Sequence, residues 1–359
     1  LLDVEPDADV ILDADAGTLR AAPPAAELTT AQRELAARNE ARARELATAQ
    51  RDCHLASGER IEVFANLVGT LADAKLAIGQ GAEGCGLLRT EFLFLERETA
   101  PDEAEQLAAY RQVADILAGK PLVIRTLDAG GDKPIPYLPL PAEENPALGL
   151  RGIRTSLWRP DLLEVQLRAM LKLPAGQCRI LLPMITDVGE IRTVRAMLAR
   201  LAADAGVTRL PQLGVMIETP AAALLADQLA AEVDFLSIGT NDLSQYTLAM
   251  DRGHAELAAR IDGVHPAVLR LIGAVGEAAA RQKRPVAVCG GLASDPAAVP
   301  LLLGLGVTEL SAVPAAIPRI KTRVNTLSLD HCRELARRAL ALDSSGAVRA
   351  LLASSQPPA

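Results

Sequence analysis

Eight short apolar runs, with helical stretches between them, limit what this chain can fold into more than any other feature of its sequence. The runs lie at 61–67, 84–89, 122–127, 179–184, 213–218, 235–241, 286–289 and 309–313. Val, Ile and Leu dominate them, and near-continuous apolar runs of this length suit strands buried on both faces. Periodic segments such as 102–117, 190–203, 220–229 and 266–281 read as the intervening helices. Such alternation specifies an α/β fold, and eight strands are the number that closes a (β/α)8 TIM-type barrel. Aromatics make up only 2% of the 359 residues, so the core has to be aliphatic.

The chain ahead of the first run has a different texture. A strand-like stretch at 9–12 and a turn at 16–18 are too little to bury a core, so 1–20 reads as the tail of another domain. Ala21-Ala22-Pro23-Pro24 then reads as a linker. An Ala-, Glu-, Arg- and Leu-rich helix is predicted from Thr30, taken as its N-cap, to about Asp52. The expected organisation is a domain tail at 1–20, a linker helix at 21–57 and a barrel at 58–359. The first residue is Leu1 rather than Met, which suggests a piece of a longer chain.

Charge and cysteine usage narrow the function. A net charge of −8 and a pI near 5.2 argue against nucleic acid or an anionic membrane as partner. An anionic substrate would therefore need a local cluster of arginines. No apolar run approaches the ~20 residues that span a bilayer, and the acidic N-terminal stretch lacks the basic start of a signal peptide. Cys53, Cys85, Cys178, Cys289 and Cys332 are odd in number and widely spaced, and so read as reduced thiols of a cytoplasmic protein. The four histidines show no metal spacing, and His265, before Pro266, reads as a structural residue at a helix start.

The polar residues that interrupt the apolar runs fall at one end of them. Asn66, Arg89, Arg125, Glu218, Asn241, Asp242 and Cys289 all stand at C-terminal strand ends, the face on which barrels of this kind carry their chemistry. Arg89 and Arg125, joined by Arg252, form either ion pairs bracing the barrel mouth or an anion clamp. Guanidinium forks match phosphate oxygens. Arg151 and Arg154, on the long connection 128–173, are candidates to join them, as is Lys133 beside Gly130 and Gly131. That connection is long enough to be expected to act on a ligand.

Glu218 and Asp242 end consecutive strands, so a barrel sets them side by side, where two bare carboxylates would repel. Either a cation such as Mg²⁺ joins them, or the acids are helix caps, a role open to Asp242. Cys289 precedes Gly290 and Gly291. It is a buried small hydrophobe, a general acid whose ordinary pKa near ~8.5 leaves it protonated at neutral pH, or a nucleophile.

Several longer segments carry a resemblance. They are Gly84-Cys85-Gly86-Leu87-Leu88-Arg89-Thr90-Glu91-Phe92-Leu93-Phe94, Arg125-Thr126-Leu127-Asp128-Ala129-Gly130-Gly131-Asp132-Lys133 and Glu144-Asn145-Pro146-Ala147-Leu148-Gly149. Gly214-Val215-Met216-Ile217-Glu218-Thr219-Pro220, the run from Ser237 to Arg252, Cys289-Gly290-Gly291 and Ile317-Pro318-Arg319-Ile320-Lys321 complete the set. Together they resemble the phosphoenolpyruvate (PEP)-utilising enzyme family, and within it the enzymes I of bacterial sugar-phosphotransferase systems.

The resemblance implies a barrel that binds Mg²⁺ and PEP, passes the phosphoryl group to a histidine on a separate swivelling domain and releases pyruvate. By the same resemblance, Arg89, Arg125 and Arg252 hold the phosphate, and Glu218 and Asp242 ligate Mg²⁺. Asn241, with Asp242, orients the substrate, and Cys289 protonates the enolpyruvate carbon. A downstream phosphocarrier protein and a homodimer formed through the barrel are implied as well, with Leu301-Leu302-Leu303 offered as apolar surface. The phosphoacceptor histidine in a Thr-Ser-His context is absent from this sequence, and 1–20 match only the end of its domain. Gly291 stands where many enzymes I carry an acid, a change that points to a multiphosphoryl transfer protein as parent. Other readings stay open: a pyruvate phosphate dikinase or PEP synthase, a Mg²⁺-dependent aldolase or lyase, and a PEP sensor without catalysis.

Overall fold

The computed structural model describes residues 4, 8–13, 17–95, 97–130, 135–141 and 143–355. The chain divides into two compact units, Leu1–Thr48 and Ala49–Ala359. In the first, strands β1 (Val10–Asp13) and β2 (Thr18–Ala21) form an antiparallel pair. Gly17 precedes β2 at φ +65°, a conformation costly for any residue with a Cβ.

The helix that follows runs Ala25–Ala49, five residues ahead of its predicted start. Thr30 is not its cap: the hydroxyls of Thr29 and Thr30 turn back onto the carbonyls of Ala25 and Ala26, at 2.8 and 2.9 Å. Pro24 supplies a helix-compatible φ just outside the first turn, and alanine needs no cap to propagate a helix.

In the second unit the eight predicted strands are present. They are β3 (Glu62–Leu67), β4 (Cys85–Leu88), β5 (Leu122–Arg125), β6 (Cys178–Leu182), β7 (Gln212–Ile217), β8 (Phe235–Ile238), β9 (Val286–Val288) and β10 (Glu309–Ala312). All pair in parallel, and β10 returns to β3 with Glu309 opposite Glu62 and Ala312 opposite Ala65, closing the ring. Several strands end earlier than their apolar runs. The polar rim residues stand where the ladder stops: Arg125 ends β5, while Arg89, Glu218 and Cys289 each follow a last strand residue.

Alternation splits the core in two. Leu87, Val123, Leu181, Met216, Phe235 and Cys289 form a small cluster inside the ring. Their strand neighbours, Leu88, Ile124, Leu182, Ile217, Ile238 and Val288 among them, belong to the large cluster beneath the helices. The floor of the barrel is polar. Arg179 on β6 and Glu309 on β10, from opposite sides of the ring, approach to 3.8 Å. Burial pushes the Glu309 carboxyl up to about 8, with Arg179 pulling it back and Glu62 adding to the rise.

The outer layer corrects three expectations. The segment 220–229 is two helices, Pro220–Leu224 and Ala226–Glu232, interrupted at Leu225. The connection 128–173 is largely helical in its second half, with Ile153–Trp158 and Pro160–Leu171; of its singled-out residues, Lys133 lies outside the described ones. Leu301, Leu302 and Leu303 offer no apolar surface: they are fully or almost fully buried in the helix Val299–Gly304, which packs against Leu329–Leu340.

His265 caps the helix Pro266–Gln282, its Nδ1 accepting from the Ala267 N–H at 3.1 Å. All five cysteines are free and buried. Lys321 is buried too, donating to the carbonyls of Ala49 (2.7 Å) and Gly81 (3.1 Å) and pairing with Glu83 at 3.0 Å. Among the described residues no helix is long and apolar enough to cross a membrane.

Candidate active site

The rim residues meet in a cleft of about 690 Å³ at the C-terminal mouth of the barrel. Its wall includes Arg89, Arg125, Glu218, Asn241, Asp242, Arg252 and Cys289, together with Asp128 and Gly239; of the described candidates, Asn66, Arg151 and Arg154 are not part of it. Asn66 stands aside from the wall. Its Nδ2 donates to the Cys289 carbonyl at 2.8 Å and its Oδ1 accepts from Ser311 at 2.6 Å, which ties β3 and β10 to the thiol-bearing turn.

Arg125, buried at the end of β5, reaches Glu91 at 2.7 Å and Asp128 at 3.2 Å. Burial opposes its charge, but Glu91, Asp128 and Glu218 more than offset that and hold it firmly protonated. Its guanidinium is therefore braced by neighbouring acids while still facing the cleft, so the two readings of the arginines are compatible. Arg89 is exposed on the same wall. Arg252 contacts Asp242 at 3.2 Å, and its backbone N–H is fixed by Gln245 at 3.0 Å.

Neither candidate arginine of the long connection lines the cleft, but Arg151 stands behind it, on two of its acids. Arg151 is buried between Asp128 and Asp242, at 2.9 Å from each, and touches the Tyr246 hydroxyl at 3.1 Å. Gly152, at φ +58°, makes this possible: a Cβ there would lie 2.7 Å from the Met184 side chain. Arg154 instead donates to the carbonyls of Leu148 and Gly149 and does not line the cleft. Arg154 lies inside the helix Ile153–Trp158, whereas Arg151 stands ahead of its N-cap Gly152.

The two acids differ in their surroundings. Glu218 is almost wholly buried and accepts from the Met184 N–H at 2.7 Å. Burial, with Asp242 and Asp128 beside it, pushes its carboxyl well above the usual range. Asp242 is not a helix cap. The helix Thr240–Leu248 is entered through Gly239 without a side-chain cap, and Asp242 sits in its first turn with its oxygens on Arg151 and Arg252. The positive end of the helix dipole favours an anion there in any case.

Asn241 accepts from the Gly291 N–H at 2.9 Å and so joins β8 to the turn after β9. In that turn Cys289 is buried, receives a hydrogen bond from Ser237 at 3.2 Å and contacts the Ile238 carbonyl. Burial raises its thiol to about 11, with Ser237 working the other way, so it carries a proton at neutral pH and is a poor nucleophile there. Glu91, Asp128 and Ser237 were not singled out from the sequence. All three lie inside the quoted motif segments, but an inward-facing serine in an apolar run gives no signal of its own.

Residues 42–329 match the family described as PEP-utilising enzyme, PEP-binding domain. The chain belongs to this family. Every wall residue of the cleft falls inside the matched PEP-utilising segment. Similar proteins include a multiphosphoryl transfer protein of Xanthomonas campestris pv. campestris, 47% identical over 353 residues, and one of Rhodobacter capsulatus, 46% identical over 352. A phosphoenolpyruvate-protein phosphotransferase of Haloferax volcanii is 44% identical over 363 residues. Each alignment takes in 98% of this chain, but only 42%, 42% and 62% of the respective relatives. The chain thus spans under two thirds of the length of these PEP-utilising relatives.

Proposed function

We propose that this barrel binds Mg²⁺ and PEP in the rim cleft and delivers the phosphoryl group to a histidine on a separate swivelling domain, releasing pyruvate as the first step of sugar phosphotransfer. The observation that carries the reading is the meeting of arginines, paired acids and a protonated thiol in one cleft. The names of the relatives favour it over the aldolase, dikinase and sensor readings.

The donor set fits a hard cation. Glu218 and Asp242 offer carboxylate oxygens from neighbouring strand ends, and Mg²⁺ often binds through one or two such groups with water and substrate phosphate. A Cβ on Gly239 would come 2.8 Å from Glu218 Oε2, so glycine there keeps space beside that oxygen. Among the described residues no group of three or more His, Cys, Asp or Glu gathers for a metal. The remaining ligands would thus come from water and substrate. When bound, Mg²⁺ would offset the charge of the phosphoryl group.

The protein side of the reaction is positioning and charge. Arg89, Arg125 and Arg252 hold the phosphate oxygens, while Asn241 and Asp242 orient the substrate. As the bond between phosphorus and the enol oxygen breaks, phosphorus bonds to the histidine nitrogen. The electron pair left on the oxygen re-forms the carbonyl, and the methylene carbon takes the Cys289 proton to give pyruvate. Solvent returns a proton to the thiolate.

On this reading 1–20 is the end of the histidine domain and 21–57 its connecting helix. The assembly would be a cytoplasmic homodimer with a phosphocarrier protein as next acceptor. Calorimetric titration of PEP into the chain, first with Mg²⁺ and then with EDTA, tests the core of the proposal. Saturable, Mg²⁺-dependent binding that Arg125→Ala abolishes is expected; no binding in Mg²⁺ would overturn it.

A further inference from the structure

Behind the cleft, on the side facing the outer helices, lies a buried polar chain that the mechanism does not use. Gln166, on the helix Pro160–Leu171, is 1% exposed and uses both of its donors and its oxygen in hydrogen bonds. Its Oε1 accepts from the Leu127 N–H at 2.9 Å. Its Nε2 donates to Thr90 Oγ1 at 3.3 Å and to the Tyr110 hydroxyl at 3.0 Å.

The contacts of Gln166 continue in both directions. Thr90 passes its own proton to the Arg125 carbonyl at 3.0 Å. Tyr110 donates to Gln106 at 3.1 Å, and Gln106 donates to the Pro101 carbonyl at 3.1 Å. Tyr110, Gln106 and Thr90 are buried like Gln166. One amide therefore grips the backbone just after Arg125, through Thr90 on the Arg125 carbonyl and directly at Leu127. The residue before Thr90 is Arg89, and the one after it is Glu91, the acid that braces Arg125. The neighbouring helix adds a strut, Thr155 Oγ1 donating to the Ala129 carbonyl at 3.2 Å.

The geometry points to Gln166 as a positioning residue for the phosphate-binding arginines, acting through the ends of β4 and β5 that carry Arg89 and Arg125. The last barrel hydrogen bonds run from the Arg89 N–H to the Leu67 carbonyl and from the Thr126 N–H to the Leu181 carbonyl, each at 3.0 Å, so nothing in the ladder sets the path of 90–91 or 127–128. A glutamine held through both donors and its oxygen does so with little freedom. A nonpolar residue in its place would leave the Leu127 N–H and two hydroxyls to find new partners. This assignment rests on the PEP-binding reading given above.

The test is calorimetric PEP affinity in Mg²⁺ for the full chain and for Gln166→Leu, Gln166→Glu and Leu163→Ala, each with its thermal unfolding. Leu163 lies on the same helix, 2% exposed, and its truncation costs stability without touching the polar chain. The expected result is a Kd raised about tenfold or more in Gln166→Leu, the scale set by losing buried hydrogen bonds, and one within about twofold of wild type in Leu163→Ala. Gln166→Glu should partly recover affinity relative to wild type as pH falls, because a protonated carboxyl keeps the acceptor and regains one of the amide's two donors. Wild-type affinity in a folded Gln166→Leu, equal weakening in Leu163→Ala, or no recovery of Gln166→Glu would each overturn the assignment. Failure of the wild-type chain to bind PEP would instead remove the functional reading on which it stands.

Discussion

Ser237 Oγ lies 3.2 Å from the sulfur of Cys289 and donates a hydrogen bond to it from the neighbouring strand. Both side chains are buried, and the thiol is pushed up to about 11 chiefly by that burial. Its proton is therefore available across the neutral range. Cys289→Ala is expected to slow solvent-deuterium exchange into the pyruvate methyl group by about a hundredfold or more, the usual scale for a lost general acid–base. PEP affinity should stay within about threefold of wild type, since Cys289 is placed as proton donor rather than clamp. Undiminished exchange, read by proton NMR, would take the thiol out of the reaction.

Of the three arginines proposed to hold the phosphate, Arg125 is the one buried between acids. Arg125→Lys keeps the charge but cannot span Glu91 and Asp128 as a planar fork does. The PEP Kd is expected to rise roughly ten- to a hundredfold, the equivalent of one lost charge-assisted hydrogen bond of about 1.5–3 kcal/mol. Calorimetry that returned an unchanged Kd would show that charge alone suffices at this position.

Glu309 makes stability depend on pH from the barrel floor, away from the cleft. Its folded pKa of about 8 stands above the ordinary glutamate value of about 4.3, so between those limits the folded chain binds more protons than the unfolded one. Its contribution therefore declines as pH rises through that window. Glu309→Gln removes the titration and should flatten the fall of Tm between about pH 5 and 8. A slope as steep as that of wild type would mean that Glu309 is already ionised in the folded barrel.

Lys321 holds two backbone carbonyls and Glu83 in a buried setting. Lys321→Met fills similar space but leaves both carbonyls without this donor and Glu83 with Arg60 alone, and is expected to cost about 3–5 kcal/mol in urea unfolding, as breaking a buried pair does. PEP binding should survive in the folded fraction. A loss below about 1 kcal/mol would place the pair among those that contribute little.

The fold was legible because parallel strands buried on both faces leave an unbroken aliphatic signature, and all eight fall where the runs predict. The residues at their C-terminal ends were legible for the complementary reason: a charge closing an apolar run has few places to go. Other features lay beyond the sequence. The helix starting at Ala25 has no capping side chain to announce it, so Thr30 drew the boundary. Arg151 and Arg154 share one segment, and the sequence does not tell that Arg151 is the one buried against Asp128 and Asp242 behind the cleft. Gln166 reads as one polar position among several on an amphipathic helix. Its role depends on the ends of two strands distant in sequence, and Leu301 to Leu303 are covered by a helix that follows them in the chain.

The closure of β10 onto β3 has a bearing on synthesis. Glu309 pairs with Glu62, so the first strand of the ring waits on the ribosome for its last neighbour. Every candidate residue from Arg89 to Cys289 is translated before the strand that seals the ring. A nascent chain can thus contain the full set of reactive groups and still lack the rigid hoop that brings them together. Loop closure over so many residues is slow, which makes the unsealed barrel the state most exposed to proteases and to mispairing with another copy.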